Sequence, residues 1–164
     1  DFVERVSPVV SSSNSSTLIF VNDRIDLAVG VGANGVHLGD RDLPPEVARK
    51  ILRDRKMLLG VSTHSVEEAI RMARSESVDY VAIGPIFSSG TKMVRDPLGL
   101  ESLERARERI EKPIVAIGGI NRSNIARVLA AGADSAAVVG ALYEGGSIED
   151  NVEAMIARAR EGMA

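Results

Sequence analysis

The residues best suited to chemistry in this 164-residue chain are carboxylates, small hydroxyls, glycines and one lysine. Asp23 follows Asn22 in "FVNDR", and Asp40 and Asp42 follow in "GDRD". Parallel strands lie about 4.8 Å apart, so carboxylates at neighbouring strand ends can reach one cation. Oxygen ligands alone select a hard ion, Mg2+ before Ca2+, and Mg2+ usually brings phosphate with it. In "GPIFSSGTK" an apolar run gives way to Ser88, Ser89, Gly90 and Thr91 and ends in Lys92, the composition of a phosphate clamp. "AIGGI" sets Gly118 and Gly119 just ahead of Asn121. Glycines there let a phosphate approach backbone N–H groups at a helix start.

Each of these residues also has a plainer reading. Asp42 is equally well placed to cap a helix opening at Leu43 and Pro44, and Asp23 serves as a cap just as easily. A lysine such as Lys92 is most often simply solvated. His64, in "GVSTHS", is either a general acid–base group or a structural histidine, and Ser62 either binds a ligand or ends a strand.

The elements that would position these groups recur along the chain. Short β-branched runs are followed by a polar turn and an amphipathic stretch of helical period. The pattern predicts strands over 17–23, 35–39, 57–63, 80–86, 113–120 and 135–142. Helices are expected over 24–33, 44–52, 66–76, 100–110, 123–131 and 148–161. Leu100, Leu103, Ala106, Arg107 and Ile110 share one helical face, and Ser65 opens a capping-box arrangement. Asn121 or Ser123 caps the next helix. The strands read as continuous apolar runs, which implies a parallel sheet covered on both faces. "GVGANGVHLG" and "LAAGADSAAVVG" echo one another, with a glycine in each able to close a helix at positive φ.

This is an α/β pattern of six βα units, against the eight of a closed TIM (β/α)8 barrel. By that count the first two βα units of such a barrel are expected to be missing from this chain, which starts at Asp1 rather than Met. Residues 1–16 read as a helix remnant and a flexible "SSSNSS" segment, and 17–164 as a single, incomplete barrel domain. Its exposed edges admit a homo-oligomer. Function in such folds sits at the C-terminal strand ends. Those ends carry Asn22-Asp23, Asp40 to Asp42, Ser62 to Ser65, Ser88 to Lys92, Gly118-Gly119 and Gly140. "VVGAL", with Val139 and Gly140, joins the Gly-Gly pair in the phosphate site that barrels build from their last two strands.

Composition narrows the classes. Aromatic residues are 3% of the chain, so the core must be aliphatic, and a net charge of −3 offers no field for nucleic acid. With no cysteine there is no disulfide, thiolate metal site or cysteine nucleophile. No apolar stretch of about 20 residues and no signal peptide is present, which makes a cytoplasmic location without membrane partners the expectation.

"FVNDR", "GVHLGDRDLP", "GVSTHS", "YVAIGPIFSSGTK", "LGLE", "PIVAIGGI" and "AGADSAAVV" resemble, in order and spacing, the motifs of the thiamine-phosphate synthase family. The resemblance runs from Leu18 nearly to the C-terminus. It implies a (β/α)8 barrel and a transferase that joins two small molecules. 4-Amino-2-methyl-5-hydroxymethylpyrimidine diphosphate loses pyrophosphate by dissociation, and the nitrogen of thiazole phosphate takes up the pyrimidine methylene. By the same resemblance Asp23 and Asp42 hold Mg2+, and Asn22 and Lys92 bind the diphosphate. Ser62 lies near the pyrimidine, while Ser89, Thr91 and the backbone at Gly119, Val139 and Gly140 hold the thiazole phosphate. The family's further diphosphate-binding cluster lies on a strand outside this chain, so the chain alone is expected to be weakly active or inactive. A thiazole tautomerase of the same fold is the alternative, with His64 as its acid–base group, as is a non-catalytic regulatory protein that binds thiazole phosphate. Lys92 beside Asp23 and Asp42 favours the synthase, since a tautomerase has no leaving diphosphate to neutralise.

Overall fold

A computed structural model describes residues 2–13, 17–53, 55–88 and 96–163. Helix α1 (Phe2–Ser12) precedes strand β1 (Phe20–Asn22). There follow α2 (Ile25–Val31), β2 (Gly35–Leu38), α3 (Pro45–Leu52), β3 (Leu58–Thr63), α4 (Val66–Ala73) and β4 (Tyr80–Ile83). The chain continues through α5 (Glu101–Arg107), β5 (Ile114–Ile117), α6 (Ile125–Ala130) and β6 (Ser135–Ala137). A 3-10 helix (Gly140–Tyr143) and α7 (Ile148–Gly162) complete it. The strand order is β1-β2-β3-β4-β5-β6, and the pairs β1–β2, β2–β3, β4–β5 and β5–β6 are all parallel. The six parallel strands and their helices are the α/β arrangement expected from the sequence.

The chain divides into two compact units. The first is Asp1–Ser62 with Ser75–Asp79; the second is Thr63–Arg74 with Tyr80–Ala164. In the first, Ile25, Ala28, Val31, Ala48 and Leu52 of α2 and α3 are buried with Val21, Val36, Leu38, Leu59 and Val61 of the strands. In the second, Ile70, Leu103, Ala106, Val128 and Met155 of the helices are buried with Val81, Ile83, Ile114 and Ala116. No aromatic side chain is among these buried residues, as the composition requires.

Strand starts in the first unit are pinned by side chains. Ile19 N–H donates to Asn34 Oδ1 at 2.8 Å, and Leu59 N–H donates to Asp79 Oδ2 at 2.6 Å. Arg49 joins the second of these, donating to Asp79 Oδ2, to the Ser77 carbonyl and to the Met57 carbonyl. The helix starts are less uniform. Ser65 accepts the Glu68 N–H at 3.1 Å, the expected cap of α4, and Ser147 does the same for α7. At α6 neither Asn121 nor Ser123 is the cap residue; Asn124 is, and α6 begins only at Ile125.

Several elements are shorter than their sequence periods. The expected strand 80–86 ends at Ile83, two residues ahead of Pro85, which has no N–H for the ladder. The strand 113–120 ends at Ile117, where Gly118 turns to φ 95°. The strand 135–142 ends at Ala137, and the 3-10 helix takes over from Gly140. Burial on both faces holds for β4 after Tyr80, whereas β5 alternates and β6, the last strand in the order, has no fully buried residue. α1 runs through Ser12, two residues into the serine-rich run, and 14–16 lie outside the described residues. No helix among the described residues is long and apolar enough to cross a membrane.

Candidate functional site

In the first unit the register decides which side chains share a face. Asn22 is paired with His37, and His37 with Gly60. Side chains alternate along a strand, so Ser62, two residues beyond Gly60, returns to the face of His37. Asn22, His37 and Ser62 thus form a polar row at the C-terminal ends of β1, β2 and β3. Val21, Val36, Leu38 and Val61 fill the opposite, buried face. His37 Nε2 lies 2.9 Å from Ser62 Oγ. Burial lowers the His37 pKa from its ordinary value, and the Asp42 carboxylate opposes that shift.

The two aspartates flank this row. Asp23 adopts φ 65°, a left-handed conformation uncommon outside glycine. Its N–H donates to the His37 carbonyl at 2.8 Å, and Arg24 N–H donates to the Asn22 carbonyl at 2.7 Å. These bonds turn the chain sharply at the end of β1 and leave Asp23 exposed. Asp42 accepts the Gly39 N–H through Oδ2 at 2.7 Å. It does not cap α3, whose first turn follows Pro44 without a side-chain cap. The carboxylate instead closes its own loop, with its second oxygen outside that bond. Beside them Arg24 pairs with Asp26 at 2.5 Å and holds the Asp26 pKa down to about 2.

Among the described residues no three imidazole or carboxylate groups converge as a ready metal cage. Two carboxylates on adjacent strand ends, one oriented by a backbone N–H, suit Mg2+. That ion commonly takes one or two protein carboxylates and completes its shell with water and substrate phosphate oxygens. A cleft of about 430 Å³ also touches Asp23, but Val29, Leu43, Ile51 and Arg55 line the rest of it, so it is a groove between α2 and α3.

In the second unit Thr63 ends β3 and donates its hydroxyl to the Ala82 carbonyl at 2.9 Å. His64 follows, and its N–H donates to Glu68 Oε2 at 2.7 Å. Its ring Nδ1 is buried, 3.8 Å from the same carboxylate oxygen and without a hydrogen-bond partner. His64, just ahead of the cap Ser65, is thus fastened by its backbone to the first turn of α4. At the end of β5, Gly119 has φ 63°, and a Cβ there would lie 2.7 Å from the Ser88 carbonyl oxygen. Asn121 N–H donates to Asn124 Oδ1 and Ser123 N–H to Asn121 Oδ1, at 2.8 and 2.9 Å. Asn124 Nδ2 donates to the Gly119 carbonyl at 3.0 Å. The asparagines thus occupy the Asn121 and Ser123 N–H groups ahead of α6. Val139 is 69% exposed, and nothing lies within 4 Å of a Cβ built on Gly140.

Asn22, Asp23, Asp42 and Ser62 are thus gathered at the strand ends of the first unit, while His64, Gly119, Val139 and Gly140 belong to the second. Ser89, Thr91 and Lys92 lie outside the described residues. His37 was not among the residues singled out from the sequence. Its signal was the alternation in "GVHL", which puts His37 on the face opposite Val36 and Leu38.

Comparison with known proteins points one way. The family model described as "Thiamine monophosphate synthase" matches residues 1–142. A thiamine-phosphate synthase of Gloeobacter violaceus is 50% identical over 125 residues, which is 76% of this chain and 36% of that protein. One of Clostridium novyi is 46% identical over 132 residues, 80% of this chain and 64% of the relative. The chain thus spans between about a third and two thirds of the length of these curated relatives. Among solved structures, a thiamine phosphate pyrophosphorylase from Pyrococcus furiosus superposes with a TM-score of 0.88 at 32% identity, over 99% of this chain and 78% of its own. An N-(5'-phosphoribosyl)anthranilate isomerase from the same organism shares the fold alone, with a TM-score of 0.71 at 16% identity over 96% of this chain and 80% of its own.

Proposed function

Because this chain belongs to the thiamine monophosphate synthase family, we propose that it carries that family's transferase chemistry. The reaction joins a pyrimidine methyl diphosphate to a thiazole phosphate, giving thiamine phosphate and pyrophosphate. The observation that carries this reading is the polar row Asn22–His37–Ser62 flanked by Asp23 and Asp42 at neighbouring strand ends.

The bond that breaks joins the pyrimidine methylene to a diphosphate oxygen, and its electron pair leaves with pyrophosphate. The bond that forms uses the lone pair of the thiazole nitrogen. The protein must neutralise charge on the leaving group and hold the two rings in line. Asp23 and Asp42 would hold Mg2+, which when bound supplies positive charge to the diphosphate. The Asn22 amide donates to a diphosphate oxygen, and the Lys92 ammonium adds a second positive charge. Ser62 meets the pyrimidine. Ser89, Thr91 and the backbone at Gly119, Val139 and Gly140 hold the thiazole phosphate. No strong protein base is needed, so His64 serves through its bond to Glu68, setting the loop between β3 and α4.

The test is thiamine phosphate formation by the native polypeptide that carries this sequence, from both precursors, with and without Mg2+, read as fluorescent thiochrome. Mg2+-dependent product is expected. No product, with thiazole phosphate isomerised instead, would replace the synthase by a tautomerase. Binding of thiazole phosphate without either conversion would leave the non-catalytic reading.

A further inference from the structure

We propose that His37 is a positioning residue that aims the Ser62 hydroxyl at the pyrimidine diphosphate; this rests on the synthase reading above. A serine hydroxyl has one proton and two lone pairs on a freely turning bond, so a lone Ser62 would present a mixture of orientations. His37 Nε2, 2.9 Å from Ser62 Oγ, restricts that freedom by fixing one of the three directions.

The imidazole is itself held. It stands on β2 between its register partners Asn22 and Gly60, and Gly60 contributes no side chain between it and Ser62. The His37 carbonyl accepts the Asp23 N–H, tying the backbone beneath the ring to the turn that ends β1. Ser62 is 25 residues away in sequence, so the contact exists only when β2 and β3 are in register. Either tautomer does the work. With Nε2–H donating, Ser62 keeps its proton for an acceptor on the substrate; with Nε2 accepting, Ser62 offers lone pairs to a donor. With Nε2 accepting, the proton direction is set before substrate arrives; with Nε2–H donating, it is narrowed from three directions to two, and either lowers the ordering cost of binding.

The experiment is a double-mutant cycle in the native polypeptide, with Mg2+ and both precursors. His37→Leu is expected to lower kcat/KM for the pyrimidine diphosphate about tenfold, the scale of one hydrogen bond. The KM for thiazole phosphate should not move. His37→Gln, whose amide can reach Ser62, should restore most of the loss. Adding His37→Leu to Ser62→Ala should cost nothing more than Ser62→Ala alone, because no hydroxyl is left to aim. If His37→Leu does not fold, His37→Asn takes its place, since its shorter amide keeps polarity without the reach. Independent, multiplicative losses would overturn the inference, as would equal losses toward both substrates. A wild-type protein that makes no thiamine phosphate would instead overturn the synthase reading and this inference with it.

Discussion

Asp134 and Ile114 exchange two hydrogen bonds where β5 begins: Ile114 N–H donates to Asp134 Oδ2 at 2.7 Å, and Asp134 N–H donates to the Ile114 carbonyl at 2.9 Å. The same exchange links Asn34 with Ile19 and Asp79 with Leu59. In each case the residue just before one strand fastens the start of the strand before it. A strand's first N–H would otherwise lose its partner as the chain enters the core.

Asp134→Ala should therefore destabilise the protein by about 1–3 kcal/mol, the cost of leaving that N–H unmade. Asp134→Asn should cost less, since Asn34 does the same work with an amide. Arg107 donates to the same Asp134 Oδ2 at 2.8 Å, but it is partly exposed and adds little. Urea midpoints of the two variants check the order; equal losses would mean that charge, not acceptance, is what matters.

Gly84→Ala should cost about 3 kcal/mol or more, because a Cβ there would sit 2.2 Å from the Ile117 carbonyl oxygen and 2.8 Å from its Cγ2. Neither neighbour is the loose end of a long side chain. Thermal unfolding decides it, and an unchanged Tm would contradict the close approach of the two strand ends.

Asp42 can be split into its two roles. Asp42→Asn keeps an oxygen for the Gly39 N–H but removes the negative charge. On the proposed reading it should leave Tm within about 1 °C of the parent, raise the Mg2+ concentration needed for half-maximal rate, and reduce turnover at least about tenfold. Mg2+ titrations of the rate test this; an unshifted titration would confine Asp42 to its loop.

Tyr80 makes folding sensitive to alkali. Burial pushes its phenol up from 10.0 to about 12, so the folded state holds its proton after the unfolded chain has lost it. The resulting stabilisation is complete below pH 10 and is lost as the pH rises from about 10 to 12. Two pKa units amount to at most ~3 kcal/mol, and the half-buried ring realises less. Denaturation midpoints from pH 8 to 12 should fall more steeply for the parent than for Tyr80→Phe; parallel curves would refute the assignment.

Much of the site was legible because strand ends are marked locally. In the first unit Asn22-Asp23 and Ser62 close apolar runs, and at neighbouring parallel strand ends such positions fall together. Asp42 was only half legible, because a cap on α3 and a bond back to Gly39 differ in loop path and not in residue type. The echo of "GAN" and "GAD" was visible as a helix-ending glycine, and Gly32 and Gly132 do take positive φ. Its second function, the clamp by Asn34 and Asp134, needs a partner strand that the local sequence does not name.

Periodicity and residue chemistry by themselves determined the parallel α/β order, the aliphatic core and the oxygen-rich strand ends, since each is a property of ten or so adjacent residues. Only the tertiary structure decided that His37 meets Ser62, that Asp42 closes its own loop and that β6 stops at Ala137. Those outcomes depend on register between segments distant in sequence and on where the backbone can still pair. A one-residue slip would turn every such side chain to the other face.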